Sequence, residues 1–289
     1  MTLLPKWAAR ASALVGVGLC LLPATAGQAP APSPGRMLIL PRRVTAGEPG
    51  TLAVLDVNGR LTPGAHVVFT TGAQVTTDAT GRGMFTAPAA AGTVFASIQG
   101  RPGRVALTVV EAAQGVDPPL VIRSAPRFAS AGDRFELNGS GFCNVADANR
   151  VMIAGQPGLV LAASSLSLVV LPPEGMLPGP QGVTLACGNR GASSITVTFV
   201  ALQLQASAAP LAPRESRELL VRITGSDARL LLEARNLAPE IAELEGGNPV
   251  RATSSGGAEN TARFKVTGRT RGSFLISIRL VPTYVSARP

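Results

Sequence analysis

Residues 118–142 read PPLVIRSAPRFASAGDRFELNGSGF, and shorter segments follow: NRVMIAG at 149–155, SSLSLVVLPP at 164–173, GVTLACG at 182–188 and SSITVTF at 193–199. In each segment apolar side chains alternate with polar ones, which indicates short, half-buried antiparallel strands. Two such sheets packed face to face bury both apolar sets, so the stretch predicts a β-sandwich. The residues that share a face are Phe135 with Leu137, Val151 with Ile153, Leu166 with Leu168 and Val170, Val183 with Leu185, and Ile195 with Val197 and Phe199.

A family resemblance covers nearly all of residues 117–200. The segment resembles an IPT/TIG domain, an Ig-like module of cell-surface receptors and exported bacterial proteins. The resemblance implies an Ig-like fold and a binding or spacer role, and the family supplies no catalytic residues to carry over. The matching marks are Pro126, Gly132, Gly139–Phe142, Val151–Ile153 and Pro172 with Pro173.

Two cysteines fall within this predicted domain. Cys187 has the parity of Val183 and Leu185, and Cys143 has inward parity if the strand of Leu137 continues through the glycine break. In an Ig-like Greek key the second and sixth strands end at the same pole. We therefore predict a Cys143–Cys187 disulfide, which an oxidising compartment permits. The alternative is two buried free thiols.

Residues 36–114 predict a first β-sandwich. Its strand-like runs are rich in Val, Ile, Phe and Thr, and Asn58-Gly59 and TDATGRG at 77–83 have turn chemistry. The phrase VVFTTGAQVTTDATGRGMFTAPAAAGTVFASIQG resembles a bacterial Ig-like repeat of the invasin type. The predicted strands are Leu52–Val57, Ala65–Phe69, Gly83–Thr86, Thr93–Ile98 and Val105–Val110.

Residues 201–289 predict a third β-sandwich of no family that we can name. Leu219–Ile223 and Leu230–Ala234 are strand-like, and Asn236–Leu244 has room for one helical turn. The last part alternates clearly: residues 261–266 and 274–280 flank the turn-like TGRTRG, which predicts a hairpin. The whole chain is thus expected to be all-β, with Ig-like antiparallel sandwiches in tandem.

The N-terminus predicts export. Lys6 and Arg10 precede an apolar run at Ala11–Leu22 that is too short to span a bilayer as a helix, and small residues follow it. Residues 1–26 are therefore expected to be a signal peptide, and the Ala/Pro-rich residues 27–35 a spacer. A retained anchor, or a lipid on Cys20, is the alternative. We expect the mature chain in the periplasm, at the cell surface or outside the cell, without a transmembrane segment.

The chain is basic, with 26 Lys and Arg against 17 Asp and Glu and a net charge of +9. Lys6 and Lys265 are the only lysines, so 24 of these basic residues are arginine. The arginines are scattered singly, which coding bias explains, although attraction to anionic surfaces is the alternative. Because the protein is expected to be exported, we predict no nucleic-acid partner.

The sequence predicts no catalytic, cofactor or metal site. His66, the one histidine, lies in a strand-like run without an acidic or cysteine cluster, so a hydrolase that uses it is the weakest hypothesis. Asn144, Asp147 and Asn149 form an oxygen-rich loop, and Asp56 with Asn58 forms a smaller one. Calcium could use such oxygens, but turn formation explains them at less cost.

Carbohydrate chemistry has few candidate residues. The closely spaced carboxylates Glu240, Glu243 and Glu245 could flank a sugar, although a solvated face explains them. Trp7 leaves with the signal peptide, and Tyr284 is the one tyrosine. We therefore expect a non-enzymatic binding, adhesion or spacer protein of the bacterial envelope, with an envelope or cell-surface partner captured by edge-strand pairing. The alternative is a carbohydrate-binding accessory module of a secreted enzyme system. The sequence does not indicate the oligomeric state.

Overall fold

A computed structural model of the chain describes residues 36–56, 58–112, 118–205 and 210–286, and the predicted signal peptide and spacer lie outside them. The described residues form β-strands, turns and one 3-10 turn at Ala146–Ala148. Almost all strand pairs are antiparallel, and three main hydrophobic cores lie between sheets. The all-β sandwich architecture predicted from alternation is confirmed.

The first core is enclosed by eight strands. One sheet has the order β1-β3-β6 and the other β5-β4-β7-β8-β2, with β2 parallel to β8. The five predicted strands are present, and three further short ones were missed because three residues are too few to show alternation. The bounds are β1 Met37–Ile39, β2 Arg43–Thr45, β3 Pro49–Leu55, β4 His66–Phe69, β5 Gln74–Thr76, β6 Arg82–Thr86, β7 Gly92–Ile98 and β8 Val105–Val110.

The second core is enclosed in the same way. One sheet runs β9-β11-β14-β13 and the other β13-β12-β15-β16-β10, with β10 parallel to β16, so that β13 belongs to both. Phe135 and Phe199 meet edge to face in this core, with ring centroids 5.4 Å apart. The bounds are β9 Val121–Pro126, β10 Phe128–Ser130, β11 Phe135–Ser140, β12 Asn149–Ile153, β13 Gln156–Ala163, β14 Ser167–Leu171, β15 Gly179–Cys187 and β16 Arg190–Gln205.

The third core lies between a four-stranded and a three-stranded sheet. The C-terminal part of β16 continues into the order β16-β17-β21-β19, and the facing sheet is β20-β18-β22. A last strand, β23, pairs instead with β9 of the second sandwich. The bounds are β17 Ser216–Thr224, β18 Leu231–Asn236, β19 Ala242–Leu244, β20 Val250–Thr253, β21 Thr261–Gly268, β22 Ile276–Leu280 and β23 Tyr284–Ser286.

The predicted hairpin of residues 261–266 with 274–280 is wrong. β21 pairs with β17 and β19, whereas β22 pairs with β18 in the opposite sheet. Both strands direct their apolar residues into the third core, so alternation is the same in either arrangement. The connection of residues 269–275 crosses from one sheet to the other, which a tight hairpin turn cannot do.

The first and second sandwiches are packed against each other through a junction cluster. This cluster is a fourth group of buried apolar residues, and β13 pairs with β3 beside it, at Ala163 and Thr51. Leu161 and Ala162 are fully buried there, while Ala163 faces the second core. The members are Ile39, Ala53, Leu55, Leu161, Ala162 and Val169.

Candidate binding surfaces

The predicted cysteine pair forms a disulfide in the structure. Cys143 and Cys187 have Cα atoms 5.7 Å apart, and the bridge joins the loop after β11 to the end of β15. The parity argument fails for one of them, since Cys143 is half-buried and the neighbouring Phe142 fills the second core. Gly141, with φ of +70°, turns the chain at that point and shifts the parity by one residue.

The oxygen-rich loop after Phe142 is organised by its own hydrogen bonds. The Asn149 side chain accepts a hydrogen bond from the Cys143 amide at 3.0 Å and donates to the carbonyls of Cys143 and Val145. Asp147 pairs with Arg82 of the first sandwich at 3.2 Å. Asp56 likewise accepts the amides of Asn58 and Arg60 in a turn. Within the described residues, no group of three His, Cys, Asp or Glu side chains is arranged to hold a metal ion.

The other candidate groups lie on separate surfaces. His66 is exposed on β4, and its Nδ1 lies 3.0 Å from the Thr76 hydroxyl. Glu243 pairs with Arg269, and Glu245 pairs with Lys265 at 2.7 Å, so these carboxylates stand on a solvated face. Among the residues that the structure describes, His66 contacts Thr76 and is not joined to the acidic or cysteine side chains that a hydrolytic triad requires.

The edge of β22 is the first of two surfaces with the properties of a binding site. β7 and β15, the strands in the corresponding place of the first two sandwiches, have a neighbour on each side, whereas β22 pairs with β18 alone among the described residues. Its inward side chains Ile276, Ile278 and Leu280 pack on the third core and remain half-exposed.

The register shows which backbone groups β22 presents at this edge. The amide of Val281 donates to the Leu231 carbonyl at 2.8 Å, and the Leu237 amide donates to the Leu275 carbonyl at 2.9 Å. Because hydrogen-bonded positions alternate along an antiparallel pair, the odd-numbered residues of β22 bond to β18. The N–H and C=O groups of Ile276, Ile278 and Leu280 therefore point outward from the edge.

The second surface is a cleft of about 970 Å³ lined by all three sandwiches. Six arginines line this cleft. Three carboxylates, those of Asp133, Glu136 and Glu233, also line it, so arginines outnumber acidic residues two to one. The cleft thus concentrates the positive charge that looks scattered along the sequence. Its arginines are Arg42, Arg104, Arg134, Arg235, Arg251 and Arg279.

Glu136 joins three parts of the chain at one wall of the cleft. It accepts a hydrogen bond from the Ser167 hydroxyl at 2.9 Å and one from the Tyr284 hydroxyl at 3.2 Å, and Arg42 Nε lies 3.3 Å away. Burial raises the pKa of Glu136 even though Arg42 beside it acts in the opposite direction. Burial and the neighbouring Glu136 charge raise the pKa of Tyr284 to about 12. This cluster fixes the orientation of the sandwiches around the cleft.

Glu233 is the acidic centre of the facing wall. It is buried in the middle strand β18, and its two oxygens bind Arg279 at 2.6 Å and Arg251 at 3.0 Å, one from each neighbouring strand. The hydrogen bond from Arg279 holds the pKa of Glu233 below its usual range. Two half-exposed arginines therefore share one carboxylate, which leaves this face with excess positive charge.

Neither surface could be located from the sequence. The alternation of residues 274–280 was visible, but the missing neighbour of β22 is a property of pairing. The arginines come from strands far apart in the chain, and only the packing of the sandwiches brings them to one cleft. One signal was present in the sequence: 24 of the 26 basic residues are arginine, whose guanidinium group suits bidentate binding of anions.

Comparisons with known proteins add little detail. No protein-family model matches the chain, and no curated protein matches it. Similar solved structures include a Bacteroides ovatus mixed-linkage glucan utilization locus protein, SGBP-B, in complex with a heptasaccharide (14% identity, 83% of this chain, 72% of that chain, TM-score 0.30). The Plexin A4 extracellular region (10%, 86%, 32%, 0.33) and the S-layer protein rSbsC (16%, 81%, 36%, 0.21) are others. No helix in the described part of the chain has the length and hydropathy to cross a bilayer. The architecture above rests on the strand pairing itself.

Proposed function

We propose that this chain is an exported, non-enzymatic binding protein of a bacterial cell envelope, which captures a partner protein by strand addition at the edge of β22. The observation that carries the proposal is the unpaired edge, where outward N–H and C=O groups stand above the half-exposed Ile276, Ile278 and Leu280. An extended partner segment with apolar residues at alternate positions would complete both the hydrogen bonds and the core.

The division into three domains and the disulfide support this function. The domains at 36–114, 117–200 and 201–289 are proposed as an invasin-type repeat, an IPT/TIG-like sandwich and a third sandwich. The Cys143–Cys187 bridge suits an oxidising compartment. The hydrogen bond from Tyr284 to Glu136, together with the pairing of β23 with β9, would hold the third sandwich against the second, which favours presentation of its edge.

The test compares two variants of one strand. Ile278→Lys places a charge on the inward side of the edge, whereas Ser277→Lys adds the same charge to the outward face. We expect wild type and Ser277→Lys to retain the same envelope protein from the producing cell, and Ile278→Lys to lose it. Binding should also protect the amides of residues 276, 278 and 280 from hydrogen exchange. A partner retained by all three proteins without added protection would contradict the proposal.

A second candidate function is a carbohydrate-binding accessory module, and the cleft favours it. Its volume of about 970 Å³ suits a small ligand such as an oligosaccharide, and Tyr284 supplies a half-buried aromatic ring at its wall. Saturable binding to cell-wall glycans that survives Ile278→Lys would support this candidate over strand addition.

A further inference from the structure

We propose that the cleft between the three sandwiches is a binding site for a carboxylated oligosaccharide, a chain of sugars that carries uronate groups. The inference specifies the ligand of the second candidate function and is independent of strand addition. It rests on three observations: the placement of the arginines, the absence of an acidic partner for Arg235 among the described residues, and the hydrogen-bonded frame around them.

Three arginines share one face of the sheet β20-β18-β22. Arg251 and Arg279 stand directly opposite Glu233 in the register, and Arg235 follows two residues after Glu233 on the same face. Diagonal neighbours on a sheet face are about 7–8 Å apart, which is within reach of long side chains. Arg235, Arg251 and Arg279 can therefore converge on one region of the cleft.

Arg235 is the member of this group that lacks an acidic partner among the described residues. It is exposed, whereas Arg251 and Arg279 both bind Glu233. On the other walls Arg42 pairs with Glu136, and Arg134 pairs with Asp133. One face thus holds three guanidinium groups for one carboxylate, and a ligand carboxylate beside Arg235 would offset part of the excess charge. The planar guanidinium binds carboxylates through two parallel hydrogen bonds.

The spacing of charge favours a polymer with repeated carboxylates over a single small anion. The arginines occupy separate walls of the cleft, with Arg42 and Arg104 from the first sandwich and Arg134 from the second. The ring-bearing side chains of Phe128, Pro282 and Tyr284 line the same cleft. Such side chains suit the faces of sugar rings, and a peptide of acidic residues has no rings to place there.

The frame of the cleft is built to keep this arrangement. Tyr284 and Arg42 both bind Glu136, and the backbone amide of Arg42 donates to the Ser167 hydroxyl at 3.0 Å. The Arg127 amide donates to the Thr283 carbonyl at 2.7 Å and attaches the last strand to the second sandwich. Arginines from three sandwiches therefore face one space without a costly rearrangement on binding.

The test uses calorimetric titration of the full chain with hexamers of galacturonate, mannuronate and guluronate, with cellohexaose as the neutral probe and hexaglutamate as a non-sugar polyanion. We expect at least one uronate hexamer to bind, cellohexaose and hexaglutamate to bind far more weakly, and added NaCl to weaken uronate binding. Arg235→Gln should raise the Kd about tenfold, as loss of a hydrogen bond to a charged group does. Arg235→Lys keeps the charge but not the planar guanidinium group, so its Kd should lie between those of wild type and Arg235→Gln.

Arg222→Gln is the matched control, because Arg222 is an exposed strand arginine outside the cleft. It should leave the Kd unchanged. The proposal is overturned if no uronate binds, if cellohexaose or hexaglutamate binds equally well, or if Arg235→Gln and Arg222→Gln have the same effect. Because Ile278 lies outside this face, loss of strand capture in Ile278→Lys leaves the uronate result unaffected, and the two proposals fail separately.

Discussion

The second and third sandwiches use the same alternation to build sheets that end differently. β15 lies between β12 and β16, and its inward residues Val183 and Leu185 are fully buried. β22 occupies the corresponding place in the third sandwich but has β18 as its one partner among the described residues, and its inward residues stay half-exposed. The sequence pattern of a strand therefore indicates which face is apolar but does not indicate whether both edges are paired.

The two sandwiches differ in where the strand after β15 or β22 pairs. In the second sandwich β16 returns beside β15, and β10 then covers β16 in parallel. After β22 the described chain turns away at Val281–Thr283, and β23 pairs with β9 of the second sandwich. Among the described residues, the second sandwich thus gains a strand on one sheet while β22 of the third keeps an unpaired edge, so one strand, β23, affects both sandwiches.

Removal of the disulfide should destabilise the second sandwich and leave the third unchanged. Cys143 and Cys187 are 44 residues apart, so removing their bridge by a double change to Ser should cost roughly 4 kcal/mol of unfolding free energy in the chain-entropy model. The third sandwich holds no cysteine, so its amides should keep their protection. Urea denaturation with residue-resolved hydrogen exchange measures both quantities.

The control for this experiment is wild type with and without reductant. Reductant should reproduce the loss of the double variant and should leave the double variant itself unchanged. An equal loss of amide protection in β17 and β21 would show that the two sandwiches unfold as one unit, which would contradict the separation.

The same substitution on corresponding strands is the next test. Leu185→Ala creates a cavity in a fully enclosed core and should lower the free energy of unfolding by about 3 kcal/mol. Leu280→Ala removes a half-exposed side chain at an open edge and should cost about 1 kcal/mol, because less apolar area leaves the protein interior. Equal costs in urea denaturation would mean that the edge of β22 is covered in solution, for example by a second copy.

Much of this difference lies beyond what alternation can predict. The faces of Phe135, Leu137, Val197 and Phe199 were predicted correctly because each strand has one apolar and one polar side. The strand β13 was missed, since Leu161, Ala162 and Ala163 are apolar in succession and are buried against two different cores. A continuous apolar run has no period from which a strand can be recognised.

The packing between sandwiches was missed for a related reason. Alternation predicts how one strand faces its own core, whereas the junction cluster depends on residues such as Ala53 and Val169 that point away from that core. In the sequence these positions look like ordinary solvent-facing residues of a strand. The cleft follows from the same packing, so its arginines could be counted in advance but could not be placed together.

The buried Glu233 and the half-buried Glu136 give a smaller effect that depends on pH. The pKa of Glu233 is lowered, so its stabilisation is present above the unfolded value of about 4.5 and is lost as the pH falls through the folded pKa. Glu233→Gln should therefore cost about 1–2 kcal/mol at pH 7 and less at pH 3. The pKa of Glu136 is raised, so the folded protein binds more protons there, and its stability falls as the pH rises above about 4.5.

Glu136→Gln consequently compares more favourably with wild type at pH 7 than at pH 3, which is the opposite trend. Urea denaturation of wild type and both variants at the two pH values measures the trends. Each variant serves as the control for the other, since both remove one carboxylate from the cleft. Parallel trends would contradict the assignment of opposite pKa shifts.

The smallest expected effect changes the second sandwich alone. Ala154 and Gly155 form the two-residue turn between β12 and β13, with φ values of 51° and 80°. An L-residue other than Asn, Asp or Gly is strained in this conformation, which the I′ turn of a hairpin requires. Ala154→Asn should therefore stabilise the second sandwich by about 0.5 kcal/mol. Ala154→Val, whose branched side chain fits the turn less well than Ala, should destabilise it. Neither change touches the edge of β22, so partner capture should be the same in both variants. A change in partner capture that follows stability would show that the second sandwich influences the β22 edge of the third.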